Sequence, residues 1–302
     1  MVRDQLRRAF PENLQENAQL AQYTATRIGG PAEFLLTVHS AGELEGAAER
    51  LWELDCEFRL LGSGSNVLVA DKGISGVVVL NQAKEVKFEE QRVWAESGAS
   101  IGSIARRAVE KGLSGLEWAA TVPGTIGGAI VGNAGAHGGD TASTLAHAEV
   151  IYRQEGRARW DVERLEFGYR TSWLKRNPGE AVVLAGRFVL SQTDPAETRA
   201  TMEDYVDYRR QTQPTGASIG SMFRNPPGEH AGRLIEAAGL KGERRGEAEI
   251  SPKHANFFVN HGGASASQVH ALIKLAQRRV AEKSGVALEL EIELLGDWEV
   301  NA

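Results

Sequence analysis

Residues 122 to 139, VPGTIGGAIVGNAGAHGG, hold seven of the chain's 34 glycines in eighteen positions. So dense a run of bare Cα atoms gives up side-chain contacts, and its use is close approach of backbone to a ligand or to other backbone. A second cluster, LGSGSN at 61–66, sits between two apolar runs. Gly62, Gly64 and Ser65, with Gly124, Gly127 and Gly128, give two separate loops rich in main-chain N–H groups. Such nests bind anions, and the expectation is a pyrophosphate clamped between two loops. The plainer alternative is a glycine-rich turn system packed on itself.

Two familiar phosphate cradles fail. A Walker A loop needs Gly-Lys-Ser/Thr, and the sequence contains no Gly-Lys pair. The dinucleotide fingerprint G-x-G-x-x-G begins correctly at Gly62, but Val67 occupies the third glycine position and the following residues are β-branched and apolar.

At 302 residues the chain suits two or three domains. With 42% hydrophobic and 25% charged residues it can bury a real core. A net charge of −6 speaks against a sequence-independent grip on nucleic acid. The single cysteine, Cys56, excludes an internal disulfide framework and fits a reducing compartment. The charged N-terminus lacks the apolar core of a signal peptide, and no apolar run approaches the ~18 residues of a membrane helix. A soluble cytoplasmic protein without membrane insertion is expected. The seven histidines show no metal spacing and one cysteine allows no C-x-x-C, so no metal is expected.

Along the chain, capped helices are expected at 40–55, 100–113 and 194–214. Three short strands read out of 58–81, hairpins out of 86–97 and 149–161, and a strand out of 181–190. The last third holds a short helix at 232–240, a strand at 255–260, a long amphipathic helix from Ser265 to Lys283 and an alternating strand at 286–296. The organisation is α+β, with a boundary near 195–215.

LGSGSNVLVADKGISGVVV, GLSGLEWAATVPGTIGGAIVGNAGAHGGD, YRTS, GSMFRNP, AGRLIEAAGLKG, SPKHANFFVN and LELEIELLG appear in the order found in UDP-N-acetylenolpyruvoylglucosamine reductases. The resemblance runs from about Tyr23 to Gly296. It implies a two-subdomain FAD-binding domain of the vanillyl-alcohol-oxidase type plus a C-terminal α+β substrate-binding domain. The corresponding division is 1–82, 83–200 and 201–302, leaving room for the last strand to pack back on the FAD domain. The implied reaction is NADPH-dependent reduction of UDP-N-acetylglucosamine enolpyruvate to UDP-N-acetylmuramate, a step of peptidoglycan precursor synthesis. FAD would be non-covalent, held by Leu61, Gly62, Ser63, Gly64, Ser65 and Asn66 and by Pro123, Gly124, Thr125, Gly127, Gly128, Asn133, Ala134 and Gly135. The resemblance leaves oligomeric state open, and a monomer is the simplest expectation.

Addition of hydride to an enolpyruvyl group leaves carbanion character beside a carboxylate. The site then needs a cation, a polarising acid and a proton donor. Arg170 in FGYRTS can hold a carboxylate two-point fashion, although a surface arginine is the commoner use of that residue type. The family motif places an essential arginine there. Tyr169 beside it reads as packing from the residues, and by resemblance belongs among the substrate-contacting positions. Ser221 in IGSMFRNP would ordinarily be a turn residue, and Phe223 breaks the G-x-S-x-G of a hydrolase. The family motif makes Ser221 the proton donor. Glu289, Glu291 and Glu293 would share the wet face of an alternating strand, and the motif assigns catalysis to Glu291. In that role Glu291 would need a raised pKa to hydrogen-bond the developing enolate. Asn225 and the arginines Arg209, Arg210 and Arg224 are candidates for the UDP diphosphate, each arginine against the reading of a solvated charge.

The sequence departs from its relatives in places. Thr121-Val122 stands where Gly-Ile is common, Gly132 and His137 replace Met and Tyr, and Leu290 stands where many relatives have proline. Only a helix fits between Val189 and Pro214, so the chain resembles the shorter form of the family, without the inserted tyrosine-bearing loop. A rival reading is an FAD-dependent alcohol or sugar oxidase or dehydrogenase of the same superfamily, which would need a base rather than this trio. A second is a UDP-sugar or FAD-binding protein without catalysis.

Overall fold

The computed structural model describes residues 2–298. The chain folds as two compact units, each assembled from separated segments. The first comprises the chain up to Gln15, Leu35–Ser63 and Gly76–Arg209; the second comprises Glu16–Phe34, Gly64–Ser75 and the chain from Arg210 onward.

The first unit is built on a five-stranded antiparallel sheet in the order Gly156–Trp160, Leu145–Tyr152, Ala181–Val189, Arg92–Glu96 and Val86–Glu89. Its central strand, Ala181–Val189, buries Val182, Val183, Leu184 and Ala185 in succession, as a strand covered on both faces must. Helices Ala41–Glu53 and Ile126–Gly132 both contact it. The latter lies close because position 186 is glycine: a Cβ there would stand 2.9 Å from Ile130 Cδ1.

Helix Ala41–Glu53 starts as its sequence predicts. The Ser40 hydroxyl accepts from the Glu43 N–H at 3.1 Å, and the Glu43 carboxylate accepts from the His39 N–H at 2.9 Å. A further cap was not legible. The buried Glu96 carboxylate accepts from the N–H groups of Ala41 and Glu85, both at 2.7 Å, and ties the helix start to the sheet. Strand Phe58–Leu61 runs parallel to Ile74–Asn81, within a four-stranded sheet ordered Leu14–Gln19, Pro31–Val38, Ile74–Asn81, Phe58–Leu61.

The second unit holds an antiparallel sheet ordered Ala217–Ser221, Phe257–Asn260, Ala248–Ile250, Arg244–Arg245. The long helix Ala266–Ser284 packs on it, burying Val269, Leu272, Ile273, Ala276 and Val280 at the helical spacing read from sequence. Ser265 and Gln268 form its capping box. No helix among the described residues is long and apolar enough to cross a membrane.

The closing segment differs from expectation. Of the predicted strand over 286–296, only Glu293–Leu295 is regular strand, paired parallel with Val67–Val69. Just before it, Leu290 makes an isolated antiparallel bridge to Phe223. The segment thus changes partner, from antiparallel to parallel pairing, within three residues, which no alternation of side chains reveals.

Candidate active site

In the first unit the glycine-rich stretch is not all loop. Thr125 caps the short helix Ile126–Gly132, with its hydroxyl accepting from the Gly128 N–H at 3.4 Å. The Gly127 N–H donates to the Ser97 carbonyl at 2.8 Å. The expected nest is corrected here, since the donors of Gly127 and Gly128 already have protein partners. Several glycines also serve packing. A Cβ on Gly62 would stand 2.6 Å from Thr125 Oγ1, so the two glycine clusters touch at this point. One on Gly127 would press on Ser97, and one on Gly135 on the Gly139–Asp140 backbone. Gly128 is different. It is exposed on the first turn of the helix, with only an ordinary contact to Thr125 in reach of a Cβ.

Asn133 ends that helix in the left-handed conformation, φ 41°. Its side chain is buried, and the amide works within the protein. The oxygen accepts from the Ala142 N–H at 3.1 Å, while the nitrogen donates to the Asp140 carboxylate at 3.3 Å and the Gly168 carbonyl at 3.1 Å. The last of these reaches the turn that presents Arg170.

That turn, Gly168 to Thr171, is closed by N–H···O bonds of 3.0 and 3.2 Å between its two ends. Arg170 sits at φ 56°, a region that costs a non-glycine residue free energy. Its guanidinium lies 5.7 Å from the ring centroid of Tyr169, which is 59% exposed. Immediately after the turn, Ser172 is fully buried, and its hydroxyl donates to the Val131 carbonyl at 2.7 Å.

Arg209 is placed for architecture. Its guanidinium donates to the Thr121 carbonyl, and Arg106 donates to the Ala120 carbonyl, so two arginines stitch the turn that leads into the glycine stretch. Burial pushes the Arg209 pKa down. His137 occupies the tip between strands Gly135–Ala136 and Gly139–Asp140, with its ring stacked 4.2 Å from that of Tyr205. Burial, aided by the Arg209 charge, lowers the His137 pKa and favours the neutral ring.

In the second unit Ser221 ends strand Ala217–Ser221. A bulge intervenes between Ser218, opposite Val259, and Ser221, opposite Phe257, with Gly220 at φ 83°. Bulges of this kind re-aim a side chain. Buried Asn256 then holds the next residues: its side-chain oxygen accepts from the Phe223 N–H at 2.9 Å and its nitrogen donates to the Phe223 carbonyl at 2.8 Å. The Glu291 N–H donates to the Met222 carbonyl at 3.0 Å, and the Arg224 N–H to the Glu289 carbonyl at 2.9 Å. Ser221 and Glu291 are thereby brought onto neighbouring, directly hydrogen-bonded segments.

Asn66, expected at the cofactor, supports Glu291 as well. Its amide donates to the Glu291 carbonyl at 3.2 Å, and its own carbonyl accepts from the Glu293 N–H at 2.9 Å. The three glutamates do not share one environment: Glu289 and Glu293 are exposed, whereas Glu291 is half-buried. Arg224 lies at the margin of ion-pair distance from Glu289, 3.9 Å. Asn225 uses its side-chain oxygen to accept from the Ala231 N–H at 3.1 Å, capping helix Ala231–Ala237 from upstream.

Residues 211–295 match the family described as the C-terminal domain of UDP-N-acetylenolpyruvoylglucosamine reductase, and residues 32–160 match the FAD binding domain. A UDP-N-acetylenolpyruvoylglucosamine reductase of Chloroflexus aggregans is 42% identical over 96% of this chain and 100% of its own length. The reductase of Bacillus subtilis is 40% identical over 93% of each chain. The crystal structure of the Thermus caldophilus enzyme is 36% identical and superposes with a TM-score of 0.80, over 93% of this chain and 98% of that one. The chain belongs to this family. Its fold is α+β, an FAD-binding domain followed by the family's C-terminal domain. It is an FAD-dependent oxidoreductase that reduces the enolpyruvyl ether of UDP-N-acetylglucosamine, with NADPH as hydride donor.

The residues present fit FAD. A glycine inside a helix costs ~1 kcal/mol relative to alanine, and exposed Gly128 recovers none of it through tight packing. A ligand lying on that turn would account for the missing side chain. Sequence reasoning missed Ser172, Asn256 and the Arg106–Ala120 contact. Ser172 lies two residues after Arg170, but its partner is 41 residues away.

Proposed function

We propose that this chain divides the work of the reaction among Arg170, Ser221 and Glu291. The observation on which this rests most is the backbone pairing that sets Ser221 and Glu291 side by side at a bulge. FAD, when bound, passes to substrate the hydride received from NADPH. Arg170 binds the enolpyruvyl carboxylate, offering two parallel N–H donors and a charge that persists at any working pH. Glu291 in its protonated form donates a hydrogen bond to the carboxylate as electron density spreads into it. The Ser221 hydroxyl delivers the proton to carbon. A hydroxyl is a weak acid in water yet far more acidic than the C–H bond formed, so the transfer runs downhill.

The Gly62–Ser63 segment, Pro123 to Thr125 and Gly128 would hold the cofactor. Leu61, Gly64, Ser65, Gly127, Ala134 and Gly135 shape those loops, and Asn66 and Asn133 position neighbouring segments. Tyr169, Arg209, Arg224 and Asn225 are kept as substrate-side residues, the last three with structural partners already described. Of the division 1–82, 83–200 and 201–302, the last part agrees with the matched span 211–295. The span 32–160 crosses the first boundary, and the two compact units draw residues 16–34 and 64–75 into the second unit. We also propose a cytoplasmic monomer, which light scattering after gel filtration checks.

The test reduces the FAD-loaded protein anaerobically with NADPH and follows flavin absorbance as UDP-N-acetylglucosamine enolpyruvate is added. Rapid return of the oxidised spectrum is expected. A flavin that bleaches and stays reduced would favour the oxidase or dehydrogenase reading. A protein unable to take up FAD would overturn the account of the glycines.

A further inference from the structure

The turn that presents Arg170 is gripped from both sides by one short stretch of chain. At its leading end the Gly168 carbonyl accepts from Asn133 Nδ2 at 3.1 Å. At its trailing end Ser172 Oγ donates to the Val131 carbonyl at 2.7 Å. Both grips come from residues 131–133, where helix Ile126–Gly132 ends. Between them Arg170 holds a left-handed conformation, φ 56°. Unaided, a non-glycine residue there relaxes toward cheaper backbone regions, so the surroundings must over-determine it.

The two grips are built rather than incidental. Asn133 is 6% exposed and Ser172 fully buried. Asn133 is itself fixed by the Ala142 N–H and the Asp140 carboxylate. Ser172 also caps helix Trp173–Arg176, its hydroxyl accepting from the Lys175 N–H at 3.3 Å. Each side chain therefore has fixed supports on one side and the turn on the other. A side chain whose only task were to cap a helix would not need the bond back to Val131.

We infer that Ser172 and Asn133 are positioning residues for Arg170, setting the affinity of the site for the substrate's carboxylate without touching it. The inference rests on the proposed role of Arg170. Its signature is selectivity. Loss of a grip loosens the guanidinium's geometry, so ligands with the carboxylate suffer, while ligands that keep the uridine diphosphate and sugar but lack the carboxylate do not.

The experiment titrates FAD-loaded, oxidised protein calorimetrically with UDP-N-acetylmuramate and, separately, with UDP-N-acetylglucosamine. Ser172→Ala is expected to weaken the first roughly tenfold, about the worth of one hydrogen bond, and to leave the second within about twofold. Ser172→Thr, which keeps the hydroxyl, should restore binding. Arg170→Lys, which keeps the charge but loses the fork, should show the same selective loss, and Ser172→Ala should add little on top of it. Equal weakening of both ligands by Ser172→Ala would overturn the inference, and so would a full additional loss in the Arg170→Lys background. If Arg170→Lys is selective and Ser172→Ala is silent, only the positioning role falls. If Arg170→Lys shows no selectivity, the carboxylate role of Arg170 falls and takes the inference with it. Should Ser172→Ala fail to fold, Asn133→Asp tests the other grip. It tolerates the left-handed backbone but cannot donate to Gly168, and the same selective loss is expected.

Discussion

Arg170 and the Ser221–Glu291 pair are held by different means, one in each unit. Arg170 sits on a four-residue turn that closes on itself and is fixed from outside by two side chains, Asn133 and Ser172. Ser221 and Glu291 are fixed mainly by main chain: a bulged strand, a bridge from Phe223 to Leu290 and the parallel pairing of Glu293–Leu295. A turn clamped by side chains can shift by a fraction of an ångström without unfolding anything. Strand pairing admits little adjustment short of loss, because each N–H and C=O is satisfied by the segment opposite. Substitutions around Arg170 should therefore separate binding from stability, and those around Ser221 and Glu291 should couple them unless they touch only the chemical group.

The largest effect expected is of that last kind. Ser221→Ala removes the proton donor and leaves the backbone pairing intact. Reoxidation of the flavin by the enolpyruvyl substrate should slow ~10²–10⁴-fold, the usual worth of a positioned acid. Flavin reduction by NADPH should stay near normal and stability should shift by less than about 0.5 kcal/mol. Stopped-flow measurement of the two half-reactions decides it, and equal slowing of both would remove the proton-donor role.

Asn256→Ala should do the opposite. The substitution leaves the N–H and carbonyl of fully buried Phe223 without their partners. The expected loss is about 2–4 kcal/mol in urea unfolding, since each stranded buried group costs ~1–3 kcal/mol. A variant as stable as the parent would show that the Ser221 segment is set by strand pairing alone.

The glycines give a paired test with opposite signs. Gly62→Ala forces a methyl group against Thr125 and should destabilise the FAD-free protein by ~1–3 kcal/mol. Gly128→Ala should stabilise the FAD-free protein by about 0.5–1 kcal/mol through helix propensity, yet weaken FAD binding measured by fluorescence titration. If Gly128→Ala binds FAD as well as the parent, the ligand explanation of that glycine is wrong.

Much of this molecule was legible in its sequence. The capped helices at 41–53, 101–110 and 266–284 lie within three residues of their expected bounds, because serine caps and apolar spacing are local signals. Arg170 lies on a turn, Ser221 at a strand end and Glu291 opposite the residue that follows Ser221. What escaped was non-local. A glycine can signal a ligand, a positive φ or a close neighbour, and sequence cannot tell Gly62, packed on Thr125, from exposed Gly128. Asn66 and Asn133, both cofactor candidates, have side-chain partners far off in sequence, 225 and 35 residues away at Glu291 and Gly168. The partner switch before Glu293 depends on which segments the fold brings alongside, and the alternation of LELEIE is the same either way.

The smallest effect concerns another long-range cap, and it sharpens the contrast between turn and strand by adding a helix end. Asp71 reaches helix Ala266–Ser284, its carboxylate accepting from the N–H groups of Ala266 and Ser267 at 2.7 and 2.9 Å and from the Ser267 hydroxyl at 2.5 Å. Burial pushes the Asp71 pKa up, but the bonds from the Ser267 hydroxyl and the two N–H groups outweigh it, and the net shift is downward. A carboxyl whose pKa is lowered on folding stabilises the native state above the unfolded value, about 3.9, and that contribution fades as pH falls through the lower native value. Asp71→Asn should therefore cost about 1 kcal/mol at pH 7, as loss of a helix cap does, and the gap to the parent should narrow as pH drops below about 4. Urea unfolding of both proteins at pH 7 and pH 3 gives the comparison. A gap that stays constant across that range would mean the cap works through hydrogen bonds an amide can replace in part, with the charge contributing nothing.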